Sequence, residues 1–198
     1  KFRKSMREAV ENFNIQTIAE AENGAQLLTL LETHSPDVVL LDLRMPGMDG
    51  NDTMDALIRK YPTIKVIIVS FYSEQMLIDD YEIRGAKGYA AKGSFDGMQL
   101  ARGIKKVHEG GKYFYRNNET PALKLSERQK DIVHLKSHGI SDKLEIGEQL
   151  GMTSSGVGKQ EKKIMEKMKV SNIAAFYEYI FESGLKFLRR PKSNKSSG

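Results

Sequence analysis

The stretch Asp37-Val38-Val39-Leu40-Leu41-Asp42-Leu43-Arg44-Met45-Pro46-Gly47-Met48-Asp49-Gly50 decides the reading of the fold. Val38–Leu41 are apolar without a break and run directly into Asp42. A short continuous apolar run suits a parallel strand covered on both faces, here over 37–43. The following Met45–Gly50 is turn chemistry, with Pro, two Gly and Asp in six residues. The same design recurs downstream. Val66-Ile67-Ile68-Val69 predicts a buried strand over 65–70, and Gly88–Ala91 a shorter one.

Working outward, these strands alternate with helical patterns. Helices are expected over 2–12, 24–34, 51–60, 74–84 and 95–109, with a further strand over Asn14–Ala19. Strand–helix alternation at this spacing predicts an α/β fold, a doubly wound parallel sheet with helices on both faces. Residues 112–124, with Asn117-Asn118 and Pro121, lack periodicity and read as a linker. From Leu125 to about Leu185 every segment reads as helical, and the Ser/Lys-rich tail reads as disordered. The expected organisation is an α/β domain over 1–111, a linker over 112–124, an all-α domain over 125–187 and a tail over 188–198.

Charge separates the two halves. Residues 1–118 carry sixteen Lys/Arg and sixteen Asp/Glu, whereas residues 119–198 carry fifteen and ten, so the whole net charge of +5 lies in the second part. A neutral front and a basic back point to a polyanion met by the back; a solvated lysine-rich surface gives the same count. No apolar run approaches the roughly 20 residues of a membrane span. The absence of cysteine excludes disulfides and thiolate metal sites and fits a reducing cytosol. The four histidines lack metal-ligand spacing and read as surface or half-buried.

In open α/β sheets ligands bind beyond the carboxyl ends of the strands. Three polar residues stand there: Asp42 after Val38–Leu41, Ser70 after Val66–Val69 and Lys92 after Tyr89-Ala90-Ala91. Each alone is ordinary, as a turn residue, a strand end or a surface charge. A carboxylate, a hydroxyl and an ammonium on one sheet edge suit phosphoryl transfer onto the carboxylate, with a divalent cation offsetting charge.

The second part carries its own pattern. Ser126-Glu127-Arg128-Gln129 fits a capping box, Gly139 a helix stop, and Ser141 a cap for a helix through Leu150. After Gly151-Met152, Thr153 or Ser154 caps a third helix to about Met168. Two short helices, a glycine turn and a further helix make a helix-turn-helix pattern. On a wheel of about 100° per residue, Val157, Ile164 and Met168 form the core stripe of the third helix. Ser155, Lys159, Lys162, Lys163 and Lys169 take the opposite half, a face that either meets DNA or is simply solvated.

Val39–Gly50, Val66–Ser70 and Gly85–Lys92 together resemble the receiver domains of bacterial response regulators. The resemblance covers residues 1 to about 110 in matching order. It implies a CheY-like receiver in which Asp42 is the phosphoacceptor, Ser70 the switch hydroxyl, Tyr89 the switch aromatic that turns inward and Lys92 the phosphate-pairing lysine. It also implies Mg²⁺ held by Asp42 and the Arg44 backbone carbonyl. The family opens with an apolar strand ending in an acidic pair; Lys1 falls within the helix that follows. The first strand, which would be the central one, and the acidic pair are therefore expected in a longer protein.

Leu125–Gln129, Gly139–Lys143, Glu145–Leu150, Val157 and Ile164 resemble the LuxR/NarL-type DNA-binding domain. By this resemblance the third helix enters the major groove, with Ser154, Ser155, Lys159, Lys162 and Lys163 as the DNA-binding set. Glu161 and Gly158 stand where the family often has a basic residue and a phosphate contact. The segment 172–183, with Ile173, Phe176, Tyr177 and Ile180, would be the dimer-forming helix, or plain core. The function implied is a cytoplasmic, phosphorylation-dependent transcriptional regulator of a two-component system, not an enzyme. Its implied partners are a sensor histidine kinase, duplex DNA and a second copy when phosphorylated, with no membrane. A receiver-derived protein–protein module independent of phosphorylation is the alternative. An aspartyl-phosphate hydrolase is disfavoured, because Arg44 stands where that class typically has a second Asp.

Overall fold

A computed structural model describes residues 2–115 and 123–188, with the backbone alone at Phe2. The chain divides into two compact units, an α/β unit and a helical one. Among the described residues no helix is long and apolar enough to cross a membrane.

The first unit runs α1 (Phe2–Glu11), α2 (Gly24–Leu30), β1 (Val38–Asp42), α3 (Gly50–Lys60), β2 (Lys65–Ser70), α4 (Gln75–Ile83), β3 (Gly88–Ala91), α5 (Gly97–His108) and β4 (Tyr113–Phe114). The four strands form one parallel sheet in the order β1-β2-β3-β4. Two of the expected runs are its centre: Val66 to Val69 are buried without exception, as are all four residues of β3; the first run, β1, lies at the edge of the sheet, and only its Val39 and Leu41 are buried, not both faces as expected. Register aligns Asp42 with Val69 and Ser70 with Ala91, which brings the strand ends to one edge. Val10 of α1 and Leu100, Ile104 and Val107 of α5 pack with Ile67, Val69 and Ala90 in one core cluster.

Three expectations for this unit change. Residues 14–19 join no ladder. A strand needs a neighbour to pair with, and the free edge of β1 has none among the described residues; Ile15 instead packs against the core cluster. α2 stops at Leu30 rather than His34, because the amides of Glu32 and Thr33 turn to the carbonyls three residues back, those of Thr29 and Leu30, each at 3.2 Å, which tightens the last turn out of the α pattern. Finally, Tyr113–Phe114, within the expected linker, pair with Gly88 and Tyr89 as an edge strand. The remainder of that linker as far as residue 122, and the tail from residue 189, lie outside the described residues.

The second unit contains α6 (Glu127–Ser137), α7 (Lys143–Leu150), α8 (Ser154–Met168), α9 (Ile173–Ser183) and a 3₁₀ turn (Leu185–Phe187). The capping box at the start of α6 is complete: Ser126 Oγ accepts from Gln129 N, and Gln129 Oε1 accepts from Ser126 N. α7 is capped by Asp142, not Ser141. The Asp142 Oδ1 accepts from both Leu144 N and Glu145 N, which satisfies two of the orphan amides at once. Gly151 ends α7 in the left-handed region at φ 63°, and Thr153 caps α8. Val157, Ile164 and Met168 face the core as the wheel predicts, with Ile132, Val133, Ile146, Phe176 and Ile180 also buried. Lys169 is not on the wheel; it is the left-handed C-cap at φ 56°.

Candidate functional site

The sheet edge brings the strand-end residues together unequally. Asp42 closes β1, and its carboxylate is held from two sides. Arg44 N donates to Oδ1 at 3.0 Å, and Lys92 Nζ lies 2.5 Å from Oδ2. The lysine side chain is 3 % exposed, the aspartate 32 %. A buried cation thus fixes a carboxylate that still faces solvent. Lys92 is carried in by the backbone, since its amide continues the β2–β3 ladder to the Ser70 carbonyl at 2.6 Å. Its ammonium also lies 4.6 Å from the Phe71 ring centre.

Gly50 explains how the turn after Asp42 folds back. A Cβ at Gly50 would stand 2.2 Å from the Asp42 carbonyl oxygen and 2.6 Å from Leu43 Cα. Only glycine lets the first turn of α3 approach the strand that ends in Asp42 so closely.

Ser70 and Tyr89 form a second pair, joined through Tyr72 rather than through Asp42. Both are fully buried. Ser70 Oγ accepts from Tyr72 N at 3.2 Å, and the Tyr89 hydroxyl donates to the Tyr72 carbonyl at 2.8 Å. Burial pushes the Tyr89 phenol well above its ordinary value, against a smaller opposing effect of its hydrogen bond with Ser70. Tyr89, the expected switch aromatic, is buried in this structure.

The oxygen donors at this edge suit Mg²⁺. A partly exposed carboxylate such as that of Asp42 and a neighbouring loop carbonyl are hard oxygen donors of the kind such an ion takes. No group of three ligating side chains occurs among the described residues.

Sequence reasoning missed a buried polar knot between α3 and α4. The Arg84 guanidinium is 1 % exposed and donates to Asn51 Oδ1 at 2.6 Å, to the Asn51 carbonyl at 3.1 Å and to Asp55 at 2.9 Å. It lies 4.5 Å from the Tyr81 ring centre, and the Tyr81 hydroxyl also donates to Asn51. Arg and Asn within helical patterns read as surface; no single-residue signal marks them as buried partners.

In the second unit, Ser154, Ser155, Lys159, Lys162 and Lys163 are all exposed on α8. Glu161 is not part of that face. Its side chain is 13 % exposed and bridges Lys136 at 2.8 Å and Lys143 at 3.4 Å, linking α8 to α6 and α7. The position expected to be basic thus turns away from the lysine-rich surface. His134 is also buried rather than half-exposed; its Nδ1 lies 2.9 Å from the Leu188 carbonyl.

Comparison with known proteins places this geometry. Residues 1–105 match the family described as response regulator receiver domain. The chain is 27 % identical over 186 residues to the transcriptional regulatory protein DegU of Brevibacillus brevis, covering 79 % of this chain and 78 % of that protein. It is 30 % identical over 177 residues to the nitrate/nitrite response regulator protein NarL of Escherichia coli K12, covering 80 % of each. Among solved structures it resembles RcsB of Salmonella enterica serovar Typhimurium bound to promoter rprA with phosphomimetic BeF3⁻, with a TM-score of 0.65 and 20 % identity, over 91 % of this chain and 93 % of that one.

Proposed function

Because this chain belongs to the response-regulator family, a receiver domain followed by a LuxR/NarL-type DNA-binding region, we propose that it is a transcriptional regulator switched by phosphorylation of Asp42. The observation that carries this reading is the Lys92–Asp42 pair at 2.5 Å, a buried ammonium against a solvent-facing carboxylate.

In the reaction, an Asp42 carboxylate oxygen attacks phosphorus. A new O–P bond forms as the bond to the donor breaks, which for a sensor histidine kinase is the P–N bond of a phosphohistidine. Lys92 neutralises charge on the transferred group, and Arg44 N–H keeps Oδ1 oriented. Mg²⁺ would be held by Asp42 and the Arg44 carbonyl, and it supplies further charge neutralisation. A phosphoryl oxygen accepting from the Ser70 hydroxyl would engage the Tyr72 backbone, and through it hold Tyr89 in its buried position. This is a regulatory switch rather than catalytic turnover.

The output is DNA binding. We assign the receiver to residues 1–111, the linker to 112–124 and the DNA-binding domain to 125–187. Lys159, Lys162 and Lys163 present charge to phosphates, and Ser154 and Ser155 lie at the helix start where base edges are read. The phosphorylated form pairs with a second copy, and its work is done in the cytoplasm, where DNA is reached.

The test uses the full chain with acetyl phosphate and Mg²⁺. One acid-labile phosphoryl group should appear by intact mass and raise affinity for duplex DNA, while Ser70→Ala takes up the group without the rise in affinity. Absence of both labelling and salt-sensitive DNA binding would favour a protein–protein module.

A further inference from the structure

The outward lysines of α8 adjoin a groove whose polar wall, beyond Lys163, the proposed function leaves unused. Lys159, Lys163 and Lys167 recur at four-residue spacing, which aligns them along one side of the helix. Beside this stripe, against the start of α6, lies a groove of about 520 Å³ lined by Ser126, Gln129, Gln160, Lys163, Glu166 and Lys167.

The polarity of the groove follows from donor and acceptor chemistry. Gln129 is buried, at 4 % exposure. Its Oε1 receives Ser126 N at 3.1 Å and Lys167 Nζ at 2.8 Å. A backbone amide and an ammonium only donate, so the atom they meet must be the carbonyl oxygen. The Gln129 amide nitrogen then has to face Gln160, 3.0 Å away, and what it meets there must be an acceptor, Gln160 Oε1. The N–H₂ end of Gln160 is left without a protein acceptor among the described residues. Lys167 is itself tied to the Lys124 carbonyl at 2.8 Å and to Gln129, so it stands as a fixed charge in the wall.

We propose that this groove takes a phosphate of the DNA backbone, with Gln160 N–H₂ donating to a phosphate oxygen and Lys163 supplying charge. Gln129 is a positioning residue: it decides which end of the Gln160 amide faces the DNA. The proposal rests on the DNA-binding reading above. Backbone phosphate is the occupant that charge complementarity selects, because the groove borders the exposed lysines of a part of the chain that carries the whole +5.

The experiment is a fluorescence anisotropy titration of the full chain on several duplexes of unrelated sequence, each at several salt concentrations. Gln160→Ala should weaken binding to every duplex by about five-fold. The slope of log affinity against log salt should stay unchanged, because a neutral donor releases no counterion. Lys163→Ala should instead lower that slope by about one. Gln129→Glu removes the donor to Gln160, so the Gln160 amide turns over and offers its carbonyl to the phosphate. Affinity should fall at least as far as in Gln160→Ala, while the melting temperature holds, because a carboxylate still accepts from Ser126 N and Lys167. Gln129→Glu combined with Gln160→Arg should restore affinity with a slope about one unit steeper, since arginine donates to both neighbours. Binding of Gln160→Ala or Gln129→Glu at the wild-type level would overturn the proposal, as would a loss confined to one sequence. A wild-type chain with no salt-sensitive binding to any duplex would overturn the DNA-binding reading itself.

Discussion

Lys92 Nζ lies 2.5 Å from Asp42 Oδ2, and the two differ sharply in exposure: the lysine is 3 % exposed and the aspartate 32 %. The cation is supplied from inside the protein and the carboxylate is offered to the outside. Acetyl phosphate with Mg²⁺ should therefore label Asp42 once. Asp42→Asn should abolish labelling, because an amide of the same shape is no nucleophile. Lys92→Met should slow it by about a hundred-fold, the usual cost of losing one charge-stabilising donor. Time-resolved intact mass reads both, and equal labelling of wild type and Asp42→Asn would remove Asp42 from the mechanism.

The two buried tyrosines should set the alkaline limit of stability. Burial raises both Tyr81 and Tyr89 well above the ordinary 10.0. A raised folded value means the folded state holds its proton longer. The stability this represents is complete below the unfolded value and is lost as pH rises above it. In a spectrophotometric titration these phenols should stay protonated until the protein unfolds. Tyr81→Phe and Tyr89→Phe should each flatten the alkaline fall in stability, while costing about 1 kcal/mol at neutral pH through a lost hydrogen bond. Ionisation of both phenols near 10 in the folded protein would contradict their burial.

Two glycines should respond oppositely to the same substitution. Gly50→Ala drives a methyl to 2.2 Å from the Asp42 carbonyl and should cost about 1–3 kcal/mol. Gly158 lies inside α8, where the nearest neighbour of an added Cβ is Lys143 Nζ at 3.6 Å, an ordinary contact. Gly158→Ala should stabilise the helix by up to about 1 kcal/mol. Urea denaturation of the two variants decides the matter, and a stabilising Gly50→Ala would refute the close approach.

On α8, Lys159→Ala and Lys162→Ala should each weaken binding to all duplexes and lower the salt slope by about one unit. Ser155→Ala should change the preferred sequence instead, with little effect on the slope. Selection of preferred sites by the wild type and by Ser155→Ala, followed by titration, separates the two effects.

How far the sequence reveals this molecule depends on whether a feature is local. The apolar run ending in Ser70 is legible because a strand buried on both faces leaves no polar alternation, whereas in the run ending in Asp42 only Val39 and Leu41 are buried, although its sequence reads the same. The edge position of Asp42 and Lys92 follows from where those runs stop. Residues 14–19 have strand-like composition yet join no ladder, since a ladder belongs to two segments and the composition of one segment does not show a partner. The same holds for Asn51, Tyr81 and Arg84: each is a plausible surface residue until its partners are known. Asp142 displaced Ser141 as a cap by a single residue, a difference that only the local backbone decides.

The bridge from Glu161 to Lys136 and Lys143 gives the helical unit two distinct responses to ionic strength. Lys136 and Glu161 are 3 % and 13 % exposed, so mobile ions reach that attraction poorly. The lysines on the outer face of α8 stand in water and are screened freely. Rising salt therefore loosens the grip on a polyanion long before it disturbs the three-helix scaffold that aims the grip. Release becomes a change in the surroundings of the protein, completed without any loss of its shape and reversed as soon as the ions are diluted.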